Sequence, residues 1–254
     1  MRGKAKSRIA LVLAAALALG AVGALSSMAW LTERASNLDP DPSGVEAIGA
    51  EDEAAGENDG SGGVDWGYWQ GVNPDIIGWV TVPGAGIDYP IVQGRPESPD
   101  FYLTHDAGGE RSAWGAPYID AGCAQGVGSP LVIVYGHHMS DGTMFAPLAQ
   151  YSSRDFAEGH RTIRIYTREK AIELKVFAAD VVDASSEGKR TDFADAAELA
   201  AYLGDKLSRC EVVLEEPADI AQAWAFVTCS YQTSNSRTVV YAKEVEGWDS
   251  RPSE

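Results

Sequence analysis

The chain is short of positive charge. Its 254 residues carry 20 Lys and Arg against 37 Asp and Glu, a net charge of −17. Nucleic-acid binding needs a basic footprint, so nucleic acid is not an expected partner; solubility alone accounts for an acidic balance. Cysteine is equally scarce, with only Cys123, Cys210 and Cys229. No two are spaced as zinc ligands, and His137 and His138, side by side at a strand end, are poorly placed to face one metal. No metal and no cofactor are expected. An odd number of cysteines in an exported protein leaves at least one thiol unpaired. Cys229 is the expected free one. A bridge between Cys123 and Cys210 stays open, although no spacing argument brings them together. No internal repeat is present.

What is present falls into blocks. Residues 1–8 hold Arg2, Lys4, Lys6 and Arg8, and residues 9–31 form an apolar run. About 20 such residues span a bilayer as a helix. Positive charge before the run and acid after it place the N-terminus inside and the remainder outside. The rival is a cleaved signal peptide with a weak site at Ser27-Met28-Ala29; its apolar region is usually shorter, which favours a retained single-pass anchor. Residues 32–63 are a linker with nine acids against one base, Arg34, and no aromatics. Such a segment buries too little apolar surface to offset its ordering entropy, and its charge keeps it extended. A folded domain is expected over 64–246, followed by a short tail, 247–254.

Within the domain, Trp66, Tyr68 and Trp69 suggest a short helix packed by its aromatics. Runs 77–82 and 87–92 read as strands around the turn Pro83-Gly84-Ala85-Gly86, with Pro90 marking an edge or bulge. A helical turn is expected over 100–105. Strands are expected over 116–120, 131–135, 161–167 and from Ile172 to Val176, and helix over 143–151. The best helix signal is 192–207, with Asp192 as N-cap and Phe193, Ala197, Ala200 and Leu203 on its apolar stripe. Many strands and few helices argue for a mainly β, closed or nearly closed sheet.

Residues 224–243 read as two strands and a polar loop. The first strand ends on Cys229; the second begins after Arg237. Antiparallel neighbours joined this way bring both groups to one end of the sheet. A thiol and a fixed cation at one rim suit a nucleophile and its electrostatic partner. A buried structural Cys and a solvated Arg are the bland alternative. The upstream run Leu-Val-Ile-Val-Tyr-Gly-His-His-Met-Ser-Asp-Gly-Thr-Met-Phe (131–145) adds a histidine at another strand end.

These blocks, with Val227-Thr228-Cys229, the later Arg-Thr-Val-Val-Tyr-Ala-Lys and the opening segment 73–94, resemble the class B sortases, in family order from about Trp66 to Val245. The resemblance implies a closed eight-stranded β-barrel with an N-terminal helix, a long helix between later strands and an N-terminal transmembrane helix. It implies a cysteine transpeptidase at the outer face of a Gram-positive membrane. Such an enzyme cleaves a C-terminal sorting signal after Thr and transfers the acyl group to an amine of a cell-wall precursor or a pilin. Cys229 would be the nucleophile, His137 the proton carrier and Arg237 the oxyanion partner. Tyr135, Thr228 and Ser230 are the substrate-side candidates; core packing is the alternative for Tyr135. Val227 stands where the family usually has Ser, and Ser230 where some relatives carry an acid. Asp141 reads as a turn former, and His105 and His160 as surface or loop residues. A secreted cysteine peptidase and a non-catalytic surface module are the rival functions.

Overall fold

The computed structural model describes residues 63–185, 188–217, 220–229 and 235–248. The basic tail, the apolar run, all but the end of the acidic linker, Ser230 and the last six residues lie outside the described residues. Among the described residues no helix is long and apolar enough to cross a membrane.

The domain opens with helix α1 (Trp66–Val72), capped by the Asp65 carboxylate, which accepts from the Tyr68 N–H at 2.9 Å. Trp66 is buried and Trp69 packs its ring 5.3 Å from that of Trp79, so aromatics dock this helix as expected; Tyr68 stays exposed. Strands β1 (Ile76–Val82) and β2 (Ile87–Gln93) then form the expected hairpin. Pro90 lies where β2 pairs only with β1, since β3 (Tyr118–Ile119) joins it solely at Val92 and Gln93. Its missing N–H therefore costs no ladder bond on that side.

The remaining strands are β4 (Leu131–Tyr135), β5 (Thr162–Tyr166), β6 (Ala171–Asp183), β7 (Val212–Val213), β8 (Ala223–Cys229) and β9 (Ser236–Glu244). Eight of the nine close a ring in the order β5-β1-β2-β3-β4-β8-β9-β6, with β5 and β6 sealing it. The two-residue β7 adds to the stretch of β6 beyond β5. The fold is thus mainly β and a closed eight-stranded barrel, with one extra short strand.

β4 and β8 explain their own sequences. Both are apolar almost throughout because both faces are covered. Along β8, Trp224 and Phe226 point to one side, where Trp224 stacks on Phe226 at 5.9 Å and Phe145 meets Phe226 edge-on at 6.4 Å. This is the barrel interior. The other parity, Ala225, Val227 and Cys229, lines a cavity outside the barrel wall. Full burial of each large interior side chain contributes roughly 1.5–3 kcal/mol.

Two helical expectations shift. The stretch 143–151 forms a 3-10 helix, Ala146–Ser152, followed by an unforeseen α-helix, α2 (Arg154–Gly159). The long helix α3 spans Ala196–Leu207 and is capped by Asp195, not Asp192. The Asp195 carboxylate accepts from the Glu198 N–H at 2.9 Å, while Glu198 reaches back to the Ala194 N–H at 2.7 Å. This capping arrangement outcompetes an earlier start. The buried face is Leu199, Leu203 and Lys206; Ala197 and Ala200 face an open groove instead, and Phe193 packs before the helix on Tyr202. No disulfide links Cys123, Cys210 and Cys229. Cys123 is fully buried, its thiol donating to the Leu131 carbonyl at 3.3 Å.

Candidate active site

Strand direction assembles the site. β4 and β8 run parallel, with Tyr135 opposite Val227. Parallel neighbours end at the same level, so the residues after β4 meet the last residue of β8. The Gly136 N–H donates to the Val227 carbonyl at 3.1 Å, and His138 Nδ1 donates to the Cys229 carbonyl at 2.8 Å. β9 runs antiparallel to β8 and places Arg237 directly opposite Cys229. Directly opposed residues hold their Cβ atoms about 5 Å apart. Cys229 and Arg237 are exposed, and the sulfur shares the cavity-facing parity of Val227.

His137, Cys229, Arg237 and Tyr135 all border one cavity of about 490 Å³. His138 does not; it ties down the backbone of the nucleophile's strand. His137 is held from behind. Its Nε2 lies 2.7 Å from the Leu103 carbonyl, in the 3-10 turn Phe101–Leu103. A carbonyl only accepts, so Nε2 carries the hydrogen and Nδ1 is left as the exchangeable nitrogen. Gly115 presses on the same ring edge: a Cβ there would lie 3.1 Å from His137 Cδ2 and 2.5 Å from the Tyr102 carbonyl oxygen.

The far wall is polar at its base. Asp120 is buried, yet its carboxylate accepts from the Gly122 N–H at 2.8 Å and from Lys189 Nζ at 2.6 Å. The Tyr135 ring lies 5.4 Å from that of Tyr118. Burial pushes both phenols well above their ordinary range, so both stay neutral donors. Thr228 borders the cavity but has the parity of Trp224 and Phe226; its hydroxyl is buried with no hydrogen-bond partner among the described residues. Asp141 forms a turn, accepting from the Thr143 N–H at 3.0 Å and its hydroxyl at 2.6 Å. His105 and His160 lie in loops, each stacked on a phenylalanine four residues earlier.

The structure therefore brings His137, Cys229, Arg237, Tyr135 and Thr228 to one cavity, while Ser230 lies outside the described residues. Sequence reasoning missed the Leu103 carbonyl, since a backbone acceptor leaves no residue signature. It also missed the Asp120–Lys189 pair, whose members are 69 residues apart.

A barrel with a cysteine, a histidine and an arginine at one rim is the arrangement of a thiol acyltransferase. The sortase domain family matches residues 80–245, and the chain belongs to that family of cysteine transpeptidases. Its relatives are sortase B proteins. That of Listeria monocytogenes is 31% identical over 134 residues, spanning 53% of this chain and 54% of the relative, so about half that protein's length is matched. The sortase B of Staphylococcus aureus is 27% identical over 69% of this chain and 72% of its own. Among solved structures, Clostridium perfringens sortase B superposes with a TM-score of 0.63 at 29% identity, covering 71% of this chain and 99% of its own. A Staphylococcus aureus sortase B–substrate complex gives 0.62 at 25% identity over 72% of this chain and 85% of that one.

Proposed function

We propose that this protein is a sorting transpeptidase that cleaves a surface protein's C-terminal signal after Thr and transfers the acyl half to an amine of a cell-wall precursor or pilin. The observation that carries this reading is the meeting of His137, Cys229 and Arg237 at one cavity rim. The Cys229 thiol attacks the scissile carbonyl and passes its proton to His137. The Arg237 guanidinium neutralises the oxyanion that forms. His137 gives the proton to the departing amine, the C–N bond breaks and a thioester remains. The incoming amine, uncharged, attacks the thioester carbonyl and gives a proton to His137 as the C–N bond forms; the C–S bond breaks and His137 returns that proton to the Cys229 thiolate.

The acyl half of the signal occupies the cavity. The neutral phenol of Tyr135 donates to it, Thr228 offers backbone rather than its buried hydroxyl, and Ser230, next to the nucleophile in sequence, is the third substrate-side residue. Residues 9–31 anchor the chain in the membrane with the catalytic domain outside, held off by the acidic linker. Lipid-linked precursors and unprocessed signals both sit at that membrane, which supports the placement.

The test is intact-protein mass spectrometry with a library of sorting peptides, with and without an amine. The expected result is an acyl adduct on Cys229 that amine resolves, absent in Cys229→Ala and slowed about 10²-fold in Arg237→Lys, which loses the planar fork. An adduct that only water resolves makes the protein a peptidase. No adduct with any peptide sinks the catalytic reading.

A further inference from the structure

We propose that Tyr102 and Arg95 are positioning residues for His137: they lock the turn whose Leu103 carbonyl decides which ring nitrogen carries the hydrogen. Their role rests on the transpeptidase reading above and lies away from substrate and sulfur. The Leu103 carbonyl is 2.7 Å from His137 Nε2. Only the Nε2–H tautomer leaves Nδ1 free to exchange a proton during acylation, so the place of that carbonyl matters to the chemistry.

The 3-10 turn Phe101–Leu103 is too short to hold the carbonyl by itself, and no side chain caps it. Its peptide planes, however, are bonded at both ends. The Thr104 N–H donates to the Phe101 carbonyl at 3.2 Å, while the Leu103 carbonyl of the same plane meets the histidine. The Leu103 N–H donates to the Asp100 carbonyl at 3.1 Å, while the Tyr102 carbonyl accepts from the Ala116 N–H at 2.9 Å. Peptide planes are stiff, so the turn moves as one body. What remains is to fix that body against the barrel.

Tyr102 does so with a fully buried phenol whose hydrogen-bonding capacity is used up. The hydroxyl donates to Asp75 Oδ2 at 2.7 Å and accepts from Asn73 Nδ2 at 2.9 Å and Arg95 Nη2 at 3.2 Å. Burial keeps this phenol above its ordinary range, so it stays a donor. Arg95 holds the turn a second time, because its guanidinium lies over the Phe101 ring, 4.5 Å from the centroid. The same guanidinium is tied to Asp75 Oδ2 through Nε at 2.7 Å and Nη2 at 2.6 Å. Asp75 immediately precedes β1 and Arg95 follows the end of β2, so the anchor is the open end of that hairpin. Neither Tyr102, Arg95, Asp75 nor Asn73 lines the cavity. Their influence on acylation therefore passes through the turn, and it falls on the chemical step more than on peptide affinity.

The test uses the full chain with two changes in the lock and one control. Tyr102→Phe removes only the hydroxyl. Arg95→Lys keeps the charge and loses the stacked plane. Tyr151→Phe, the control, removes a hydroxyl from an equally buried tyrosine elsewhere, where it donates to the His160 carbonyl at 2.6 Å. The first readout needs no substrate: the ring-nitrogen resonances of His137, assigned by their loss in His137→Gln, report the tautomer of the neutral imidazole. Wild type and Tyr151→Phe are expected to show Nε2–H, and both lock variants a mixture with Nδ1–H. The second readout is single-turnover acylation by a sorting peptide. Its rate should fall about tenfold in both lock variants, with half-saturating peptide within about twofold of wild type. The double variant should be no slower than Tyr102→Phe, since both changes act through one turn. A wild-type tautomer in both lock variants, a loss confined to peptide affinity, or an equal loss in Tyr151→Phe overturns the proposal. If no peptide acylates Cys229 yet the tautomer shifts, the lock stands and the parent reading falls.

Discussion

Gly136 and Gly115 bracket the catalytic imidazole, and each is irreplaceable for a different reason. A Cβ on Gly136 would lie 2.5 Å from the ring of Phe145, which is fully buried and cannot move aside. Gly136→Ala is expected to cost about 1–3 kcal/mol, read as a lowered Tm. Gly115 has φ +62, a conformation side chains avoid, and its Cβ would meet the Tyr102 carbonyl as well as the His137 ring. Gly115→Ala should displace that ring by a fraction of an ångström. Single-turnover acylation is expected to fall by about 10²-fold while peptide affinity changes little, because positioning errors act on the chemical step. Unchanged acylation in Gly115→Ala would show that the ring tolerates movement.

At the scale of elements, two ion-paired clasps hold the sheet and its covering segment. Glu215 accepts from Lys175 at 2.7 Å, Arg161 at 2.5 Å and Lys243 at 3.4 Å, joining β6, β9 and the residue before β5 to the chain beyond β7. Chiefly through Lys175, its carboxyl is pushed down to about 2. A depressed carboxylate adds stability above the unfolded range near pH 4.5 and loses it as pH falls towards 2. After solvent screening this amounts to about 1–2 kcal/mol. The Tm difference between wild type and Glu215→Gln should therefore be full at pH 7 and vanish near pH 2. The second clasp, Lys189 on Asp120, pins the segment before α3 against the cavity floor. Asp120→Asn is expected to raise the KM for sorting peptide several-fold with kcat within about twofold.

The same elements show why legibility was uneven. Cys229 and Arg237 were readable as opposed residues because a short loop and two apolar runs define a hairpin. Strands β5 and β6 and the helix between β6 and β8 were readable in outline from alternation and amphipathicity, but not that β5 and β6 seal the ring. The helix start was misplaced because Asp192 precedes the apolar Phe193, yet Asp195 has Glu198 three residues on, the reciprocal pair that the structure uses. Leu103, Gly115 and Lys189 were not readable; they act across the parallel β4–β8 junction or the cavity, where spacing along the chain carries no information.

For the whole molecule, ring closure leaves few unpaired strand edges, so the domain should unfold in one cooperative transition whether followed by far-UV dichroism or tryptophan fluorescence. Its pairings join distant segments, which places refolding in the millisecond-to-second range or slower. Acyl-transfer competence should be the last signal to return, after barrel secondary structure. The reason is the parallel junction: imidazole and sulfur are 92 residues apart in the chain and become neighbours only when β4 and β8 lie side by side. A nascent or denatured copy therefore carries an ordinary thiol and an ordinary imidazole, and is chemically quiet towards every peptide it passes. Reactivity belongs to the finished ring, because only there do sulfur, imidazole and guanidinium share one rim.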